Sequence, residues 1–238
     1  MTSLSHLPMR ISRILLVGAL VAAPVLHAQT TIGAAMTTSV GPLTRSTAGF
    51  QSFGQSFVVP TRTTQLSSFS LGFSNFFNGG ALKFDAYILA FDAANRRVTG
   101  SVLWNATDLL GSSNDFAFDT RVFNTGNLSL TAGTTYLFLI TTSTQGAGVP
   151  ADASNLVGAN DVDGYTGGSF WAAYDGGNAG LLRDAGAFSA VSGVTDASFS
   201  AVFRADPTVV PEPATLFLTG VGLMVLWLTA RRRGRREA

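Results

Sequence analysis

Histidine and cysteine, the side chains most often used for nucleophilic, acid–base and metal chemistry, are nearly missing from this chain. Both histidines, His6 and His27, fall within the first 28 residues, and there is no cysteine. Beyond that point no Ser-His-Asp triad, thiol nucleophile, His or Cys zinc site or redox disulfide can be assembled. Residues 29–209 also lack glutamate and contain a single lysine, Lys83, so acid–base work would fall to aspartate, arginine and tyrosine. The twelve aspartates of that stretch permit many carboxylate pairs of the kind a glycoside hydrolase needs. However, Asp119-Thr120-Arg121 and Asp175-Gly176-Gly177 do not supply the paired Asp-Thr-Gly pattern of an aspartic protease. A non-enzymatic protein is the expectation, and an aspartate-dependent hydrolase ranks last among the alternatives.

The most suggestive cluster is Asn160-Asp161-Val162-Asp163-Gly164, in which Asn160, Asp161 and Asp163 place three oxygen-bearing side chains beside a glycine. Calcium takes such hard oxygen ligands, and Asp175, Asn178 and Asp184 could add to them if the chain folds back. The stretch lacks the spacing and the bidentate glutamate of an EF-hand loop, and Asn and Asp beside Gly are also what an ordinary surface turn uses. The plain turn is the preferred reading, and calcium is the one cofactor left open. Tyr165, Trp171 and Tyr174 lie nearby, and aromatic faces beside acidic or amide groups hold sugar rings in many proteins. Against this, Phe170, Ala172 and Tyr174 alternate as a core strand would, with Trp171 packed on the other face, and the core reading is preferred.

These residues need a scaffold, and its pattern is that of strands. Twenty-two of the 26 glycines fall between residues 29 and 209, among short apolar runs, and no long 3.6-residue period is present. Phe69, Leu71 and Phe73 alternate with small residues, as in a half-buried strand. Tyr136, Phe138 and Ile140 alternate with Leu137 and Leu139, as in a strand buried on both faces. Further runs occupy residues 55–59, 82–91, 98–104, 116–123 and 197–204. Turn signals divide them at Asn78-Gly79-Gly80, Asn124-Thr125-Gly126, Ala132-Gly133, Asp163-Gly164 and Asp175-Gly176-Gly177. The expectation is an all-β fold, a single antiparallel β-sandwich of jelly-roll type over residues 29–209, with one C-terminal transmembrane helix. Residues 128–142, LSLTAGTTYLFLITT, read as a hairpin turning at Gly133, and residues 145–180 read as a long glycine-rich loop.

The two ends carry a different signal. Arg10 and Arg13 precede an uncharged apolar run at residues 14–26, with small residues around Ala28. This is the layout of a secretory signal peptide, which a signal peptidase would remove after about residue 28. The C-terminus reads VPEPATLFLTGVGLMVLWLTARRRGRREA, with no charge between Glu212 and Arg231. Those intervening positions make a helix of about 27 Å, enough to cross a thin bilayer, and the arginines after it would stay on the cytoplasmic side. Between the ends, eight Arg or Lys stand against twelve Asp, a net charge of −4, which makes nucleic acid an unsuitable partner. Three segments result: residues 1–28 as signal peptide, 29–209 as an ectodomain and 210–238 as a terminal signal.

Val210 and Glu212 each precede a proline and are pushed toward extended conformations, while Pro211 and Pro213 lack an amide hydrogen. A rigid extended peptide therefore stands just outside the membrane, ready for a processing enzyme. This motif, the apolar segment after it and the Arg231, Arg232 and Arg233 cluster resemble the PEP-CTERM sorting signal. The resemblance implies recognition by an exosortase, a membrane protease of Gram-negative bacteria that make extracellular polysaccharide. It implies that Val210, Pro211, Glu212 and Pro213 form the recognition element and that the three arginines stop transfer through the inner membrane. The expected product is a surface or matrix protein with a structural or weak binding role in extracellular polysaccharide; the alternative is a calcium-assisted carbohydrate-binding module.

Overall fold

In the segment TYLFLIT every position after the first is buried. Tyr136, Phe138 and Ile140 enter the main core, while Leu137 and Leu139 enter a second cluster on the opposite face. Period-two alternation of apolar residues with other apolar residues requires a sheet covered on both sides, and that is what forms here. The computed structural model describes residues 28–45, 49–75, 82–114, 117–145, 153–205, 219, 220, 222–224 and 226.

In chain order the strands are β1 (Gln29–Ala34), β2 (Thr38–Thr44), β3 (Ser52–Val58), β4 (Gln65–Asn75), β5 (Lys83–Asp92), β6 (Arg97–Leu110) and β7 (Asp119–Ser129). They continue as β8 (Thr135–Thr141), β9 (Ser154–Asn160), β10 (Phe170–Ala173), β11 (Ser189–Ala190), β12 (Asp196–Ala197) and β13 (Phe199–Arg204), with a 3₁₀ helix at Ala179–Arg183. One sheet runs β1-β13-β4-β9-β12, with β2 also on β9 and β7 also on β4. The other runs β11-β10-β3-β8-β5-β6. Every pairing between these strands is antiparallel.

The two sheets share one core, built largely of phenylalanine. Phe69 of β4 stacks on Phe138 of β8 across the sheet gap, with ring centroids 4.2 Å apart and planes 5° from parallel. Phe199 lies 5.4 Å from the same ring and Phe57 5.7 Å from it. Leu66 and Phe69 are three residues apart, so strict alternation would send one of them outward. A register shift between Leu66 and Ser68 absorbs the odd residue and keeps Leu66, Phe69, Leu71 and Phe73 all inward.

Three local expectations change. Residues 128–142 do turn at Gly133, whose φ is 71°, but they form no hairpin. β7 pairs with β4 in one sheet and β8 with β3 and β5 in the other, so the turn arches across the core. Leu130 is buried beneath that arch, and its N–H donates to Thr64 C=O at 3.0 Å. Asn124-Thr125-Gly126 does not separate strands; it lies within β7, where Gly126 and Asn127 take positive φ beside the register shift. The region expected as a long loop contains β9 and β10. The amino-acid preferences of SNLVGAN are poor for a strand, but β2, β4 and β12 all pair with it, and that pairing overrides propensity.

The expected signal peptide at 1–28 lies outside the described residues except for Ala28, as do Val210, Pro211, Glu212, Pro213 and the three arginines. Residues 219, 220, 222–224 and 226 are helical, and among the described residues no helix is long and apolar enough to cross a membrane.

Candidate functional site

Asn160 ends β9 with its side chain turned into the structure. Its Nδ2 donates to Ala35 C=O at 2.7 Å, and its Oδ1 accepts from Val162 N–H at 2.8 Å and, at 3.5 Å, from the Thr37 hydroxyl. Asp161 Oδ1 accepts from the same hydroxyl at 2.7 Å, and Asp161 N–H donates back to it at 3.1 Å. The Asn160 and Asp161 oxygens thus hold a turn against the loop after β1, the geometry of an Asx turn. Asp163 is exposed. Among the described residues there is no group of three or more His, Cys, Asp or Glu side chains that could hold a metal ion.

The three aromatics do not converge. Tyr165 packs edge-on against Phe199 at 5.3 Å, and its hydroxyl accepts from Val58 N–H at 3.0 Å while donating to Val58 C=O at 3.3 Å. Burial raises the pKa of that phenol above the usual tyrosine value. Trp171 belongs to the second cluster, 5.4 Å from Phe91, and its Nε1–H donates to Ser56 Oγ at 3.0 Å. Tyr174 is 63% exposed and rests on Phe50 at 4.3 Å, just past the end of β10. Phe170 and Ala172 are buried as a core strand requires, but the expected alternation fails at Tyr174, because the strand ends at Ala173 and the ring stays outside the core.

Three aspartates that composition alone could not place are buried fixtures. Asp175 accepts from Ser52 Oγ at 3.0 Å, from Gly177 N–H at 3.0 Å and from the Ser143 hydroxyl. Asp85 accepts from Asp108 N–H at 2.8 Å, from Tyr87 OH at 3.1 Å, and from Thr144 and Gln145. Asp196 accepts from Gln55 Nε2 at 3.0 Å and from Tyr165 N–H at 3.1 Å. Desolvation raises its pKa, and the nearby Asp163 carboxylate adds to the rise. With no exposed surface, Asp196 offers no face to a substrate.

A concave site lies elsewhere. The outer face of the six-stranded sheet carries Leu89, Val98, Leu137 and Leu139, and the segment after β10 folds back to cover them with Leu182 and Phe188. Asp175-Gly176-Gly177 makes that reversal, with φ of 59° and 81° at the two glycines, and Asn178 caps the 3₁₀ helix through its side-chain oxygen on Gly180 N–H. The cover is incomplete. A groove of about 290 Å³ remains, walled by Leu89, Val98, Leu139 and Leu182, with Tyr87 and Arg183 along its lining. Arg183 Nη1 donates to Gly100 C=O at 2.6 Å, which ties the helix to β6. The doubly apolar run at residues 136–140 is the sequence signal for this site, since its second face needed a cover.

A family model described as the PEP-CTERM protein-sorting motif matches residues 209–233. The chain therefore carries a PEP-CTERM protein-sorting motif near its C-terminus, and such a motif implies an exported protein that an exosortase processes and that is anchored at the membrane beforehand. No curated protein matches it. Among solved structures, it is similar to the clostridial cysteine protease Cwp84 after propeptide cleavage, at 13% identity and a TM-score of 0.47, over 75% of this chain and 40% of that one. It is also similar to the cysteine protease and lectin-like domains of Cwp84, a surface layer associated protein of Clostridium difficile. There the identity is 15% and the TM-score 0.40, over 65% of this chain and 32% of that one. A third likeness is to the structure of infectious bursal disease virus, Gt strain, at 17% identity and a TM-score of 0.33, over 90% and 52% of the two chains. The chain spans about half or less of each of these, and likenesses at this level assign it no activity, substrate or partner.

Proposed function

We propose that residues 213–230 hold this protein in the inner membrane with the β body outside the cytoplasm. In this reading an exosortase cuts it near Pro211, Glu212 and Pro213, and the body passes to the cell surface or the extracellular polysaccharide. The observation that carries the reading is the sorting motif at 209–233, which begins shortly after β13 ends at Arg204. The body acts there structurally or by weak binding and does no catalysis. Support comes from Asp85, Asp175 and Asp196, which are buried and committed to internal hydrogen bonds. Support for a jelly-roll-like architecture comes from a chain that passes between its two sheets at most connections.

The test is fractionation of cells producing the protein, its Glu212→Gln variant and a variant with Pro211 and Pro213 both replaced by alanine. The native protein should leave the membrane fraction, and both variants should stay in it. Release of the variants at the native level contradicts the reading.

A further inference from the structure

The groove on the outer face of the six-stranded sheet has apolar walls, a cation on its lining and a carboxylate sealed behind one end. From this we infer that it binds a small anionic amphiphile, a ring or short chain bearing one carboxylate, with the apolar part against Val102, which is 44% exposed, and the narrow edges that the buried Leu89, Val98, Leu139 and Leu182 leave open, and the carboxylate at Arg183. The site goes beyond the sorting reading and stands independently of it.

Size, polarity and orientation each restrict the ligand. At about 290 Å³ the groove lies at the small end of the ligand-pocket range of roughly 300–1,000 Å³, so it suits a single substituted ring rather than a larger molecule. Water against the aliphatic walls finds few hydrogen-bond partners, and an apolar body replaces it favourably.

Orientation follows from where the protons point. Tyr87 and Thr144, both in the lining, donate their hydroxyl protons to Asp85 Oδ2. Ser52 Oγ gives its one proton to Asp175 Oδ2 at 3.0 Å, so across the 2.7 Å contact the Thr141 hydroxyl donates to Ser52 Oγ while accepting from Ser143 N–H at 3.1 Å. The Tyr87 and Thr144 end therefore presents lone pairs backed by the Asp85 carboxylate, and it repels an anion. Arg183 supplies the opposite chemistry. Its bond to Gly100 C=O fixes the guanidinium, and a guanidinium has five N–H groups in a fork that fits a carboxylate.

The test uses the full chain in lipid nanodiscs, with empty nanodiscs as the blank, and isothermal titration at neutral pH. The probes are 4-butylbenzoate, its uncharged analogue 4-butylbenzyl alcohol and its cationic analogue 4-butylbenzylammonium. Benzoate and 4-ethylbenzoate complete a length series. The inference expects saturable binding of 4-butylbenzoate, tightening about fourfold per added methylene along the series. It expects the alcohol to bind more weakly and the ammonium more weakly still.

Val102 is 44% exposed on edge strand β6 and lines the groove, so Val102→Glu places a like charge there at little cost to folding. It should weaken 4-butylbenzoate about tenfold or more. Arg183→Gln should weaken the benzoate about fivefold and leave the alcohol unchanged. Absence of binding above the blank overturns the inference. So does equal binding of alcohol or ammonium, and so does benzoate binding that neither substitution alters.

Discussion

Gln29 and Arg204 face each other as the terminal pair of the β1–β13 ladder, and Ala205 N–H donates to Ala28 C=O at 2.9 Å beyond them. The first and last strands of the body are thus neighbours, and the chain enters and leaves at one corner of one sheet. Both ends of the body stand on the same side of the fold, so a tether at either end leaves the rest of the surface unobstructed.

That ladder depends on Gly33. A Cβ there would lie 2.2 Å from Phe199 O and 3.1 Å from Ser200 Cα, and a strand backbone has little room to give way. Gly33→Val is expected to destabilise the fold by about 1–3 kcal/mol, a fall in Tm of roughly 3–10 °C. Hydrogen exchange should show amide protection lost in β1 and retained in β8.

Phe69 sits at the meeting point of Phe57, Phe138 and Phe199 with no exposed surface. Phe69→Ala should cost about 3–5 kcal/mol in urea unfolding, through lost burial and the cavity left behind. Val122 is 58% exposed in β7, and Val122→Ala should change stability by less than about 0.5 kcal/mol.

The contrast between Phe69 and Val122 also marks what was legible in the sequence. Alternation of large apolar residues exposes an inward face directly, and it located β3, β4, β5, β6, β8 and β13 and the two-sided burial of β8. Partner choice is not written in alternation. Ala132-Gly133 announces a reversal of the chain, but whether the next strand pairs locally or crosses to the other sheet is decided by distant residues such as Leu130 and Tyr136, whose hydroxyl accepts from Thr131 N–H at 3.1 Å. β9 was illegible for a related reason, because Asn155 is a buried strand residue only where Ser74 and Ser112 carbonyls accept its two amide protons, at 2.9 and 3.1 Å. Nearness in sequence does not make one site of the residues from Asn160 to Tyr174, because Tyr165 and Trp171 turn to different clusters.

Arg121 closes the side of the core between the two sheets. Its guanidinium lies 5.5 Å from the Phe84 ring and 5.9 Å from the Phe123 ring, and it donates to Leu110 C=O. Arg121→Ala should lower stability by about 1–2 kcal/mol, and Arg121→Lys should recover only part of that, because an ammonium lacks the flat faces that lie over both rings. Chemical denaturation of the two variants separates these outcomes.

Asp196 makes stability depend on pH in a stated direction. Its folded pKa is raised above the ordinary 3.8, chiefly by desolvation, so at pH between 3.8 and the raised value the folded state holds a proton that the unfolded state has released. Its contribution is complete below about 3.8 and is lost as pH rises through the raised value. Replacing it with asparagine should flatten that part of the stability curve, measured as the slope of unfolding free energy against pH on the alkaline side of 3.8. An unchanged slope in Asp196→Asn would show that the group is not the source.

On the proposed reading, the last residues are removed when the protein leaves the membrane. Mass spectrometry of the C-terminal peptide from membrane and extracellular fractions tests it most directly. The membrane form should retain Arg231, Arg232 and Arg233, and the extracellular form should end near Pro211, Glu212 and Pro213. Recovery of an extracellular form that still carries the arginines would contradict it.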